Sequence, residues 1–506
     1  MSRFGTRAAG GALLAVATLV AGSVVAATSA TAGTTNVSAR TAYYRAEPAC
    51  AAVTVNHSRC LAERLVRVPK GAADARPMPK AMQAADGPAG GYTPAQLAKA
   101  YGINPRGGAG QVVGVVDAYN YPTARNDLNV FDRHYGIKVK SHGTAVGESS
   151  YTFQKYAQDG THNFPKTNSG WAGEAAIDIE AVRSMCHLCK ILLVEANSAS
   201  NANLAKAVNT AVRLGATVVT NSYGGTETGR HSYDSAYKHP GVVITASSGD
   251  DGYYDWDYLN DKNGSAAGAP ETPASYPWVV SVGGTALQLN DNGSRASESV
   301  WNENGAADVT GRSRHQDMGA TGSGCSQVFT APSWQQALPN YAQGNCNGHR
   351  LGNDIAALAD PYTGFDVYDS TPDQGYVGWG TWGGTSVASP LIAGMWALAG
   401  GGGGVRYPAS TLYANLAASA SNFYDVTVGG NGWCGGISAG SCATFFAGNV
   451  GPNKAHHGNV DCAFKNNSAT RTGKTLACRA ATGYDGPSGV GTPVGVSSFQ
   501  TAAQNQ

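Results

Sequence analysis

Long apolar runs that end on a polar or charged residue recur through the middle of this chain, and stretches with helical periodicity separate them. That alternation limits the fold more than any other feature. The run QVVGVVDAYNYP at 111–122 ends its apolar part at Asp117, and KILLVEA, ATVVTNSYG, GVVITASSGDDG and WVVSVGG follow in order. Such runs suit strands covered on both faces, as in a parallel sheet. Helices are expected over 94–101, 126–135, 202–214 and 232–238, with another from about 175 leading into KILLVEA. Strands alternating with helices imply an α/β domain with a mostly parallel sheet, whose functional side chains gather at the C-terminal ends of the strands.

Three segments carry candidate chemistry. Residues 383–396 read GGTSVASPLIAGMW, a glycine-rich turn into a helix near Ser386. That arrangement leaves a hydroxyl uncovered beside the free N–H groups of a helix start, which is how a nucleophile is presented. The plainer role for such a serine is an N-cap. In GWAGEAAIDIEAV, Glu174 and Asp178 stand four residues apart and share one face of a helix. Close carboxylates raise one another's pKa, so one can hold a proton that the other has lost. An acidic surface helix is the bland alternative. Asp250 lies in SSGDDG directly after an apolar run; protonated, it can donate to a developing oxyanion, and otherwise it is a turn former.

GEAAIDIE, SSGDDG and GGTSVASP, in that order, make residues 92–493 resemble the sedolisins, serine-carboxyl peptidases of subtilisin-like fold. The resemblance implies a three-layer α/β architecture with a mostly parallel central sheet and flanking helices. It makes Ser386 the nucleophile, Glu174 the general base, Asp178 its orienting acid and Asp250 the oxyanion partner, with Asp117 a supporting acid. It also implies one structural calcium ion held by Asp425, Asp485 and the carbonyls of Val426, Ala481 and Gly483. Two carboxylates with several carbonyls form a hard-oxygen set suited to Ca²⁺. Protein or peptide substrates, an acidic pH optimum and a monomeric endopeptidase complete the expectation.

The totals agree with an exported enzyme. Net charge is +1 with 14% charged residues and no long charged run, so neither nucleic acid nor a membrane surface is indicated as partner. Arg3 and Arg7 precede an apolar segment over 8–27 and the small-residue site Ala30-Thr31-Ala32, the pattern of a secretory signal over 1–32. Residues 33–90 read as a short pro-segment and linker, and 91–506 as the peptidase domain with a Cys-rich insertion around 429–478. The ten cysteines are even in number, as expected for a disulfide-bonded exported chain. Spacing suggests Cys50–Cys60, Cys186–Cys189, Cys325–Cys346, Cys434–Cys442 and Cys462–Cys478, the last two pairs being interchangeable.

Two rivals remain on sequence grounds. A subtilisin-type triad of Asp117, His142 and Ser386 would work near neutral pH, but leaves Glu174 and Asp178 without a role. A non-catalytic secreted binding module would use aromatic loops such as Tyr253, Tyr254, Trp256 and Tyr258.

Overall fold

Among the described residues, four short strands lie before the first helix: β1 (Tyr43–Pro48), β2 (Arg59–Cys60), β3 (Glu63–Val68) and β4 (Arg76–Pro77). Helix α1 (Pro94–Ala100) starts at a reciprocal capping box between Thr93 and Gln96. The alternation then runs through β5 (Val112–Ala118), α2 (Ala124–His134), β6 (Phe153–Ala157), α3 (Ser169–Met185), β7 (Lys190–Ala196), α4 (Asn201–Arg213) and β8 (Val218–Asn221). Next come β9 (Tyr223–Gly224), β10 (Val243–Ser247), β11 (Val280–Leu289) and β12 (Arg295–Val300). They are followed by β13 (Cys325–Thr330), the one-turn α5 (Ser333–Gln336), β14 (His349–Leu351) and β15 (Ile355–Leu358). The hairpin β16 (Phe365–Asp373) and β17 (Tyr376–Gly383) leads into α6 (Thr385–Leu398) and α7 (Ala409–Ala418), and β18 (Phe423–Tyr424) pairs with β19 (Thr492–Pro493).

This computed structural model describes residues 42–502 and 504 except 52–55, 73–74, 78–84, 140–151, 226, 228–231, 254–269, 304–318 and 432–475. The signal segment, His142, Tyr254, Trp256, Tyr258 and most of the Cys-rich insertion therefore lie outside the described residues. Strands β5, β6, β7, β8, β10 and β11 form the parallel body of one sheet, ordered β12-β11-β10-β8-β5-β7-β6, with β15 also parallel to β11 and only β12 antiparallel. The sheet is of the mostly parallel α/β kind expected, with helices packed on it. Every residue of β8 and β10 is buried, which accounts for apolar runs without alternation. Because β5, β8 and β10 run in parallel register, their C-terminal ends place Asp117, Ser222 and the 247–252 turn along one edge.

The N-terminal strands depart from the expected linker. β3 joins β17 on one side and β1 on the other, in a second, antiparallel sheet ordered β16-β17-β3-β1-β4. Its partner β17 lies about three hundred residues away in sequence, a pairing that local composition cannot signal. Disulfides Cys50–Cys60, Cys186–Cys189 and Cys325–Cys346 form as expected, and Cys478 is disulfide-bonded. Cys434, Cys442 and Cys462 lie outside the described residues. Among the described residues, no helix is long and apolar enough to cross a membrane.

Candidate active site

Asn168 caps helix α3, its side chain accepting from the Trp171 N–H at 3.1 Å, and every residue from Gly170 to Met185 is buried. A helix covered on all sides explains both its apolar character and the burial of its charged groups. Toward α2 and β16 it is fastened by Arg183, which pairs with Asp132 at 3.4 Å, and by Glu180, which accepts from the Tyr368 N–H at 2.9 Å. On the side facing α6, Glu174 and Asp178 are fully buried. Burial pushes both carboxyls well above their ordinary range; Asp178 and Asp117 raise Glu174 further, and Asp117 raises Asp178. Neither Glu174 oxygen makes a hydrogen bond of normal geometry, yet the Ser386 hydroxyl lies close enough to favour its ionised form.

Ser386 is the second residue of α6, not its cap: Gly384 holds the cap position with φ +87°, a left-handed backbone that favours glycine. The Ser386 Oγ donates to the Ser222 carbonyl at 3.3 Å. Ser222 in turn donates its hydroxyl to Asp178 Oδ1 at 2.6 Å and lies 3.4 Å from the Ser386 carbonyl. That carbonyl lacks its usual helical partner because Pro390, four residues on, has no N–H. Ser222 and the role of Pro390 were not singled out from sequence; the polar TNS ending of an apolar run is the signal that could have found Ser222.

Asp250 reaches the start of the same helix. Its Oδ1 accepts from the Thr385 N–H at 2.8 Å and from the Thr385 hydroxyl at 2.7 Å. Burial pushes its carboxyl up to about 7, and Thr385 and Arg59 limit the rise. Asp117 is buried without a hydrogen bond to either oxygen, and burial with Glu195 raises its pKa well above normal. Glu174, Asp178, Asp250 and Ser386 therefore converge around the start of α6, with Asp117 behind the first two. A buried serine with one raised carboxyl beside it and another at the helix N-terminus can support acyl transfer at low pH.

The expected calcium residues meet elsewhere. β18 and β19 bring Asp425 to the loop carrying Asp485, where Asp425 accepts from the Gly483 N–H at 3.0 Å. Asp485 Oδ2 accepts from Ala481 N–H, and its Oδ1 from the N–H and hydroxyl of Ser488. Burial, with the Asp425 charge added, pushes Asp485 up to about 8. Among the described residues no hydrogen bond uses the carbonyls of Val426, Ala481 or Gly483. A raised carboxyl facing a second one, with open carbonyls nearby, is a donor set that fits a hard cation. Among the described residues no cluster of three or more His, Cys, Asp or Glu side chains suits a metal, so such an ion would depend on the carbonyls.

Residues 110–412 match the Subtilase family. Sedolisin of Pseudomonas sp. (strain 101) is 32% identical over 248 residues, 48% of this chain and 39% of that protein. Kumamolisin of Bacillus sp. (strain MN-32) is 28% identical over 360 residues, 67% of this chain and 57% of that protein. The solved structure of Pseudomonas sedolisin, a serine-carboxyl proteinase complexed with two molecules of pseudo-iodotyrostatin, superposes with a TM-score of 0.59 at 25% identity, covering 81% of this chain and 96% of that one. With that fold and this arrangement of acids around a serine, the chain belongs to the subtilase family, and within it to the sedolisins. It spans only 39–57% of the length of the two curated relatives.

Proposed function

We propose that this protein is a secreted serine-carboxyl endopeptidase that cuts protein or peptide chains in acid through Ser386, Glu174 and Asp178. The observation that carries it is the burial of Glu174 and Asp178 on one side of α3, against Ser386 at the start of α6. Ser386 Oγ attacks the scissile carbonyl carbon while Glu174 takes its proton. Asp178, steadied by Ser222, holds Glu174. Protonated Asp250 and the Ser386 N–H donate to the oxyanion. Glu174 returns the proton to the leaving amine, and water then cleaves the acyl-enzyme through the same groups.

The test is kcat/KM on an unfolded protein from pH 2.5 to 9. A maximum below about pH 5 is expected, with activity lost as Asp250 ionises near 7. A maximum near pH 7 to 8 that collapses in His142→Ala would return the chemistry to the subtilisin-type triad. Asp250→Ala should fold normally and lose about 10²- to 10³-fold in kcat; wild-type turnover in that variant would remove the oxyanion role.

In this proposal Asp425, Asp485 and the carbonyls of Val426, Ala481 and Gly483 would hold one Ca²⁺. The ion would neutralise the paired carboxylates and brace the C-terminal loop. A chelator should then lower Tm by about 5 °C, the effect of removing a ligand present near 100 times its Kd. An unchanged Tm would remove the ion.

A further inference from the structure

The hairpin β16–β17 carries a cage of aromatic and acidic side chains beside the cleft, and Arg64 of β3 sits in it. The Arg64 guanidinium carbon lies 3.9 Å from the centre of the Tyr376 ring and 5.4 Å from that of Trp382, and Asp373 pairs with the same group at 3.6 Å. Asp373 and Tyr376 stand opposite one another across the two-residue turn Gln374-Gly375, whose φ values of +46° and +86° make the hairpin tight, so both side chains share one face. Along β17, Gly378 and Gly380 hold the alternate positions between Tyr376 and Trp382 and leave a floor free of side chains. The cage is tied to α3. Ser169 Oγ donates to Asp373 Oδ1 at 2.7 Å, and a Cβ at Gly173 would stand 3.0 Å from the Trp382 ring. Gly173 directly precedes Glu174, so the cage keeps a fixed place relative to the proposed base. The register to the serine is also fixed: the Leu61 carbonyl accepts from the Ser386 N–H at 3.1 Å, and Glu63, Arg64 and Leu65 pair antiparallel with Gly383, Trp382 and Thr381. Arg64 is thus the third residue after the one whose carbonyl meets Ser386.

We propose that Asp373, Tyr376 and Trp382 form a subsite that takes the arginine side chain of a substrate at the third position after the bond cut; the proposal rests on the peptidase reading above. A chain that takes the place of residues 59–65 pairs with the same edge of β17 and brings its third residue over the same glycine floor. A planar guanidinium can lie on an aromatic face while its edge turns to a carboxylate, whereas lysine offers a compact, strongly hydrated charge that fits the pair of rings less well. Trp382 is buried and forms the inner wall, and Tyr376 is exposed at the rim. The charged head therefore enters from solvent and keeps part of its water, which limits the cost of seating it. The subsite acts on which bonds are cut and leaves the proton transfers at Ser386 to the acids already described.

The test digests a mixture of unfolded proteins with the purified enzyme at pH 4.5 and reads the cut sites by mass spectrometry. Arginine should be enriched at the third position after the cut. Quenched fluorescent peptides built on one such site, with Arg, Lys or Ala at that position alone, should then rank in that order, Arg exceeding Ala by about tenfold in kcat/KM. Tyr376→Ala should bring the Arg-to-Ala ratio close to one, and Asp373→Lys should push it below one, each variant being checked by its Tm to be folded. A merely structural contact would slow both peptides alike and leave their ratio as it was. The subsite is overturned if proteins are cut without arginine enrichment at that position, or if the ratio survives in both variants, and the peptidase reading then stands. If no protein is cut between pH 2.5 and 9, the peptidase reading falls and the subsite with it.

Discussion

Glu174→Gln should lower kcat/KM at pH 4 by about 10⁴-fold or more and leave the fold intact. Glutamine keeps the shape of the side chain but cannot take the Ser386 proton, and loss of a base or nucleophile from such a unit costs about 10⁴- to 10⁶-fold. The fold should survive because Glu174 is under electrostatic pressure: burial, Asp178 and Asp117 all oppose its charge, and neither oxygen makes a normal hydrogen bond. The amide removes a charge and gains N–H groups that can donate toward neighbouring carboxylates. Steady-state kinetics and a melting curve on the same sample check both halves. Activity within tenfold of wild type would end the role of Glu174 as base, and a Tm drop of more than about 10 °C would mean that its charge holds the helix in place.

Raising the pH from 4 to 8 should lower Tm by on the order of 10 °C, measured on Ser386→Ala to prevent self-digestion. Asp250 is pushed up to about 7 and Glu195 to about 7, while Asp117 and Asp178 lie well above their ordinary range, in every case chiefly through burial. Unfolded, these carboxyls titrate near 4, so between pH 4 and 8 the folded chain binds more protons than the unfolded one. Their contribution is therefore fully present below the unfolded pKa and is lost as pH rises through the folded values. A buried carboxyl held near 7 instead of 3.8 corresponds to roughly 4 kcal/mol on full ionisation, and one kcal/mol moves Tm by about 2–4 °C in a large domain. A Tm that rises or stays level from pH 4 to 8 would mean that the acids are already ionised in the native state.

Much of the site was legible because its parts are local. Asp117 ends an apolar run, Glu174 and Asp178 lie one helical turn apart, and Ser386 follows a glycine pair; β5, α3 and α6 carry them as periodicity and spacing suggest. α3 starts at Ser169, earlier than expected, because Asn168 caps it and its first turn is buried like the rest. The short helix expected at 232–238 narrows to a single 3-10 turn over Asp234–Tyr237. What stayed hidden depends on distant partners. Ser222 matters only because Asp178 and Ser386 arrive beside it, and residues 43–68 read as a polar linker until β17 supplies their pairing.

Helix α3 also bears on how this protein can change. From Gly170 to Met185 it has no solvent-facing stripe, and ion pairs and hydrogen bonds fasten the side away from the serine. A scan of all substitutions along it should show intolerance without the 3.6-residue rhythm of an ordinary surface helix. Adaptation of the working pH must then come through the walls around α3, on α2, α6 and β16, since the helix itself offers no position where charge can vary freely.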